Sequence, residues 1–260
     1  MASNLSSIGF AFDDDAGFQA AMTSLVNDAV VRLACDDGEY AIWRSRTGAE
    51  IWFHLVPESP GSETLEPIGL IPFFEGQSEN AFRADRAFRC AADNPLEGRL
   101  AGWIVPKPAD GEGYPLVLET VDYAAHYARP MPATWTVRLT GFARRLTAHA
   151  SEADYLSVPD RRLPLNGKSF VAAGLLGAKA EDAGDAWASP DAAVILLTGT
   201  VIAHERMTNE ASGGAFHWLL IESADATTYD IVADPEVVSG TPSVGGTVEV
   251  VCQVFGRVID

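Results

Sequence analysis

Three residues of one short stretch, Glu50, Trp52 and His54, have the types and spacing that could do chemistry. In an extended chain successive side chains point to opposite faces. These three therefore share one face, and Ile51, Phe53 and Leu55 share the other. The second set is an ordinary core face. Glu50 and His54 are suitable ligands for Zn2+, Fe2+ or Mn2+, and Trp52 between them could wall a small-ligand site. Two ligands on one strand fall short of a centre, because a catalytic metal usually takes a third. The plain alternative is a solvated strand face with a partly buried tryptophan.

Other candidate groups carry weaker signals. Asp13, Asp14 and Asp15 could hold a cation, but a helix start accounts for them: an aspartate caps the first turn and its charge complements the helix dipole. His126, His149, His204 and His217 are scattered. No serine or cysteine sits in a nucleophile motif. The run AGLLGAKAEDAGD has glycines but lacks the lysine-serine/threonine spacing of a phosphate loop. No cofactor is predicted, and a divalent metal at Glu50 and His54 is the one ion the sequence motivates.

The elements that must position these residues read as follows. Ile8 to Phe12 is a short apolar strand, and Ala16 to Ala29 repeats apolar residues at helical spacing (Phe18, Met22, Leu25, Val26). Three strands follow, broken by Asp36-Asp37-Gly38 and Thr47-Gly48, both hairpin signals. Ile68 to Phe74 is a further strand. Arg83, Arg86 and Arg89 recur at helical spacing and read as a solvated stripe. Leu100 to Val105, Tyr114 to Val121 and Trp135 to Ala148 look like strands, and Ser151 to Leu156 like the start of a short helix.

The order strand–helix–strand–strand–strand, carried by SIGFAFDDDAGFQAAM and GEYAIWRSRTGAEIWFHL, resembles the βαβββ module of the vicinal-oxygen-chelate superfamily, the glyoxalase-like and bleomycin-resistance proteins. The resemblance covers about 50 residues. It implies a cup of strands holding a divalent metal through His, Glu or Gln, with Glu50 and His54 as the matching positions. The opening strand has no His or Gln where the family places its first ligand, and no second module is evident.

The last third reads as a unit of its own. Val194 to Arg206, Phe216 to Ser223, Thr227 to Ala233 and Thr247 to Ile259 are β-branched and apolar, with Gly199 marking a bulge in the first. Four long strands in so few residues suggest closure. The pattern, with its mid-strand glycine and the closing VGGTVEVVCQVFGRV, resembles an OB-type barrel. Within the second strand Phe216, Trp218 and Leu220 share one face, and His217, Leu219 and Ile221 the other. Trp218 is expected in the barrel core, with His217 or Leu219 meeting another domain or subunit.

Composition bounds the partners. The net charge is −18, and residues 193–260 hold nine acidic side chains against Arg206 and Arg257 alone. Neutralising phosphates needs several lysines or arginines, so the charge disfavours nucleic acid and anionic membranes. No apolar run reaches the roughly 18 residues of a spanning helix, and the first residues lack a secretory leader. Three widely spaced cysteines, Cys35, Cys90 and Cys252, suggest free thiols in a cytoplasm.

The expectation is therefore a β-rich α+β protein with the look of a bacterial chain. An α+β domain with a mixed or antiparallel sheet spans 3–156, a connector 157–192, and an OB-like barrel 193–260. Its role would be to bind a small molecule or a protein in the cytoplasm without catalysis. The alternatives are a metal-dependent glyoxalase-like enzyme and, more weakly, a single-stranded nucleic-acid binder.

Overall fold

The computed structural model describes residues 3–91, 94–105, 113–159, 165–176, 189 and 191–259, with backbone alone at 89–91 and 94–97. The Cys90 side chain, residues 106–112 and much of the expected connector (160–164, 177–188, 190) lie outside what is described.

Helix α1 (Asp15–Asp28) starts where the aspartate run predicts. The Asp14 side chain accepts from the Gly17 amide at 2.7 Å, and Met22 and Leu25 are buried. Residues 8–12 do not form the expected strand. A 3-10 turn covers Ser6–Ile8 and Gly9 follows with φ +86°. That left-handed residue ends the extended run. The carbonyls of Ile8 and Gly9 accept from the Asn209 amide and the Ser212 hydroxyl, so Ile8 and Phe10 are buried without ladder partners.

Strands β1 (Val31–Cys35), β2 (Gly38–Arg44), β3 (Ala49–Pro57) and β4 (Leu65–Phe74) then form an antiparallel meander in chain order. The two short turns set its register: Cys35 pairs with Gly38, and Tyr40 with His54.

Strands β5 (Asn80–Ala91), β6 (Asn94–Ile104), β7 (Tyr114–Thr120), β8 (Ala133–His149), β9 (Ser169–Val171), β10 (Val194–Thr208), β11 (Ala215–Glu222), β12 (Thr228–Ala233), β13 (Val238–Ser239) and β14 (Thr247–Val258) make one mixed sheet. Short helices α2 (Tyr123–His126), α3 (Glu152–Ser157) and α4 (Ala173–Leu176) sit between them. Helix α3 forms where the sequence suggests a short helix, and the Ser151 side chain caps it by accepting from the Asp154 amide. The arginine stripe lies on β5. Phe82 and Ala84 point into the core, and a register shift between Ala84 and Arg86 inserts one extra residue. That bulge puts Arg83 and Arg86 on one face despite their spacing of three, which imitated a helix; Arg86 to Arg89 run in regular register.

The pairings of this sheet return on themselves twice. One circuit runs β5–β6–β7–β14–β8–β5, the other β10–β11–β12–β8–β14–β10. Each has one parallel contact, β7 with β14 and β12 with β8. The two circuits thus repeat one strand order and share their two long strands, which pair from Thr247–His149 to Val258–Val137. Strands from both sides of the expected connector therefore belong to one sheet. Strands β10, β11, β12 and β14 pair in one row but do not close a circuit alone, because β8 stands between β12 and β14.

Two cores follow. Leu100, Leu118, Leu139, Leu197, Leu219, Ile231 and Val250 belong to the large sheet's own core. A second core, with Trp52, Phe74, Phe142, Phe216, Trp218, Val232 and Phe255, joins the meander to that sheet. The two faces of β11 are thus both buried, as its sequence requires, but in the opposite sense to the expectation. Trp218 looks toward the meander and Leu219 into the large sheet. Gly199 is not the bulge of β10 either. It stays in register with Val248, and the irregularity lies between Val201 and Ala203. A Cβ on Gly199 would stand 2.7 Å from the Glu222 carbonyl oxygen, so its role is close backbone approach.

Candidate functional site

The face bearing Glu50, Trp52 and His54 is covered by the large sheet rather than open as a cup; the three are 0%, 1% and 4% exposed. Glu50 pairs with the Arg44 guanidinium and accepts from the Trp52 indole at 2.7 Å. Burial pushes its carboxyl above the usual range, and Arg44 offsets part of that push. Nearby Glu75 gathers Arg44, Arg138 and Arg257, and the Arg257 guanidinium lies 5.3 Å over the Trp52 ring. This ionic cluster ties β2, β3 and the end of β4 to β8 and β14. Holding two sheets together accounts for it.

The structure does not bring Glu50 and His54 together. Four residues along a strand span roughly 13 Å, and the Trp52 and Tyr40 rings fill the interval, with Tyr40 5.6 Å from Trp52 and 4.7 Å from His54. The Tyr40 hydroxyl accepts from the Ala124 amide on α2, which closes this side.

His54 instead meets two residues from the first hairpin. Its Nε2 is 3.0 Å from Asp37 Oδ1 and 3.5 Å from Cys35 Sγ, and Cys35 Sγ is 3.4 Å from the same Asp37 oxygen. The hairpin delivers them: Cys35 ends β1, Asp37 lies in the turn, and Gly38 opens β2. A Cβ on Gly38 would fall 2.0 Å from the Leu55 carbonyl oxygen, so only glycine lets the turn lie this close to β3. Asp37 remains 45% exposed at its side chain. Among the described residues this is the one group of three His, Cys or Asp/Glu donors that could hold a metal ion. The turn Cys-Asp-Asp-Gly and the register of the next hairpin were the signal; a search confined to β3 could not see it.

A cysteine–histidine–aspartate relay is not what this geometry makes. Both Cys35 and Asp37 lie at Nε2, whereas a relay orients the base through its other nitrogen. The buried Nδ1 has no hydrogen-bond partner. Burial and then the Asp37 carboxylate push the Cys35 thiol from 9.0 up to about 12, so it is neutral at physiological pH and a poor nucleophile. Cys35 is expected to react with iodoacetamide at pH 8 slower than a free cysteine by roughly tenfold or more. A mass-spectrometric time course on intact protein reads this, and labelling at the free-thiol rate would contradict it.

A second feature is a cleft of about 430 Å3 where the first residues of the chain and β4 meet the outer face of β6, β7 and β14. Leu5, Leu70, Ile71, Pro72 and Phe255 give it an apolar wall. The opposite side is polar. Arg99 is 3.4 Å from Glu119 and also donates to the Ser189 carbonyl. Gln253 donates to Glu119 and accepts from Asn4 at 3.5 Å and Arg144 at 3.3 Å. Arg99 and Glu119 are register partners, so the antiparallel pairing of β6 with β7 sets them side by side.

The scattered histidines do not gather into one site. His126 pairs with Asp122 at 2.9 Å, and His149 packs on Tyr155. His204 and His217 meet through a 3.0 Å Nε2···Nδ1 hydrogen bond across β10 and β11, and burial lowers both below the usual histidine range.

Fold and site define a β-rich α+β protein with one large mixed sheet, a small meander docked on it, and no helix among the described residues long and apolar enough to cross a membrane. No family model, curated protein or solved structure matches the chain.

Proposed function

We propose that this chain is a small-ligand-binding protein without a catalytic group of its own, acting in the cytoplasm. The carrying observation is the 430 Å3 cleft with one apolar wall and one wall of amide, guanidinium and carboxylate groups. Binding sites have this make-up: apolar surface supplies affinity and a few polar groups fix orientation. A ligand of this fit is small, partly apolar, and carries both donors and acceptors. The two strand circuits are read here as OB-type barrels that share β8 and β14, serving as the rigid frame behind the cleft. The acidic surface argues against nucleic acid as the ligand. Glu50 and His54 do not carry the glyoxalase-like alternative, since they face different partners.

A thermal-shift screen of small polar metabolite-like compounds tests the reading. A hit raises the melting temperature by mass action. Gln253→Ala, which removes an amide from the polar wall, is expected to weaken that hit at least about tenfold, the cost of a lost hydrogen bond. A screen without hits, or hits unaffected by Gln253→Ala and by Ile71→Ser on the opposite wall, would reject it.

A further inference from the structure

We propose that Cys35, Asp37 and His54 form a binding site for a borderline-soft divalent cation of the zinc type, on the turn of the first hairpin. It does not depend on the cleft, which other elements line.

The donor set points to the ion. Thiolate with imidazole and carboxylate is a zinc-type combination, whereas Mg2+ and Ca2+ take oxygen ligands. The spacing fits as well. Zinc bonds of the usual lengths in a tetrahedral arrangement put sulfur about 3.6 Å from nitrogen or oxygen, and nitrogen about 3.4 Å from oxygen. The structure has 3.5 Å for sulfur to nitrogen, 3.4 Å for sulfur to oxygen and 3.0 Å for nitrogen to oxygen. Seating an ion therefore asks for movements of a few tenths of an ångström. The half-exposed Asp37, in a turn, is the ligand free to make them.

The same atoms satisfy one another without a metal. Cys35 donates its thiol proton to Asp37, and His54 donates its Nε2 proton to the same oxygen. A cation takes the place of those two protons: the thiol proton is released to solvent, the Nε2 proton is exchanged for one at Nδ1, and the side-chain positions stay nearly unchanged, so the hydrogen-bonded cluster is a preformed site. Three protein donors beside an exposed carboxylate leave a coordination position facing solvent. His54 Nδ1 has no acceptor to orient its proton. Lack of such a partner typically lowers metal affinity roughly ten to a hundredfold, so the site should exchange its ion rather than hold it permanently.

The test uses the full chain, stripped with a chelator and titrated with Co2+ and Zn2+, with Mg2+ as control. Expected are one equivalent bound, the intense visible bands of tetrahedral Co2+, a near-ultraviolet thiolate-to-cobalt band, displacement by Zn2+ and no response to Mg2+. Cys35→Ser should abolish the near-ultraviolet band and weaken Zn2+ at least a hundredfold; Asp37→Asn should weaken it about tenfold. Both side chains are partly exposed, so these variants should keep the metal-free melting temperature, which is measured alongside. His54→Gln is informative only if it passes that check. A folded protein with no thiolate band at one equivalent would overturn the assignment. So would Zn2+ binding that survives Cys35→Ser but falls with His204→Gln, which would place the ion on the His204–His217 pair.

Discussion

Leu219→Asp will yield a chain that does not fold. Leu219 is fully buried in the core of the large sheet, between strands that belong to the circuit of β10, β11, β12, β8 and β14. Its register partners are His204 on β10 and Ile231 on β12. A carboxylate there has no cation to pair with among its register partners while His204 is neutral. Burying an unpaired charge costs several kcal/mol or forces local unfolding, a large share of the about 5–15 kcal/mol that holds an ordinary domain together. The expected result is insoluble or non-cooperatively melting protein, against a cooperative Leu219→Ala variant weakened by about 2–5 kcal/mol. Circular dichroism on heating separates the two. A Leu219→Asp protein melting like the parent would place this side chain at a surface and refute the assignment of the two faces of β11.

Asp230→Ala will cost roughly 3 kcal/mol or more, because each buried donor left without an acceptor costs about 1–3 kcal/mol. The Asp230 carboxylate is fully buried. It accepts from the Gln77 and Ser78 amides at 2.9 and 2.8 Å and from the Trp218 indole at 2.8 Å. Three donors from two other segments thus end on one side chain, and it pins the 75–78 connection between the sheets to β12. Alanine leaves all three unmet in the interior, each worth about 1–3 kcal/mol though not additively. Gly76 belongs to the same arrangement: a Cβ there would lie 2.0 Å from Asp230 Cγ. Gly76→Ala should therefore be severe in the parent and milder when Asp230 is already alanine, a coupling a double-mutant cycle measures. Denaturant melts of the four proteins supply the numbers. Additive losses would show that the carboxylate and the loop are not joined.

Local features were legible wherever neighbours in sequence are neighbours in space. The aspartate cap of α1, the short helix from Ser151, the two short hairpins of the meander, and the two apolar faces of β11 follow from residue type and period alone. The misreadings fall where a contact from far along the chain decides. Ile8 to Phe12 has strand composition, yet Gly9 turns it and Asn209 and Ser212 take its carbonyls. The Arg83–Arg86 spacing looks helical because a bulge adds a residue. The C-terminal strands look self-sufficient because nothing in their own pattern reveals that β8, about fifty residues before Val194, supplies the missing neighbour.

For the candidate site the division is sharper. The sequence by itself determined that β3 carries Glu50, Trp52 and His54 on one face, because side chains alternate along any extended chain. It determined the hairpin turn at Asp36-Asp37 and the acidic balance that disfavours phosphate backbones. Only the tertiary structure decided what that face meets. Docking of the meander on the large sheet buried Glu50 beside Arg44 and gathered Arg44, Arg138 and Arg257 around the nearby Glu75. The close approach of Gly38 to Leu55 carried Cys35 and Asp37 to His54. The physical reason is range: backbone period and turn chemistry act over a few residues, whereas burial and ion pairing depend on which surfaces meet, and that is set by the whole chain at once.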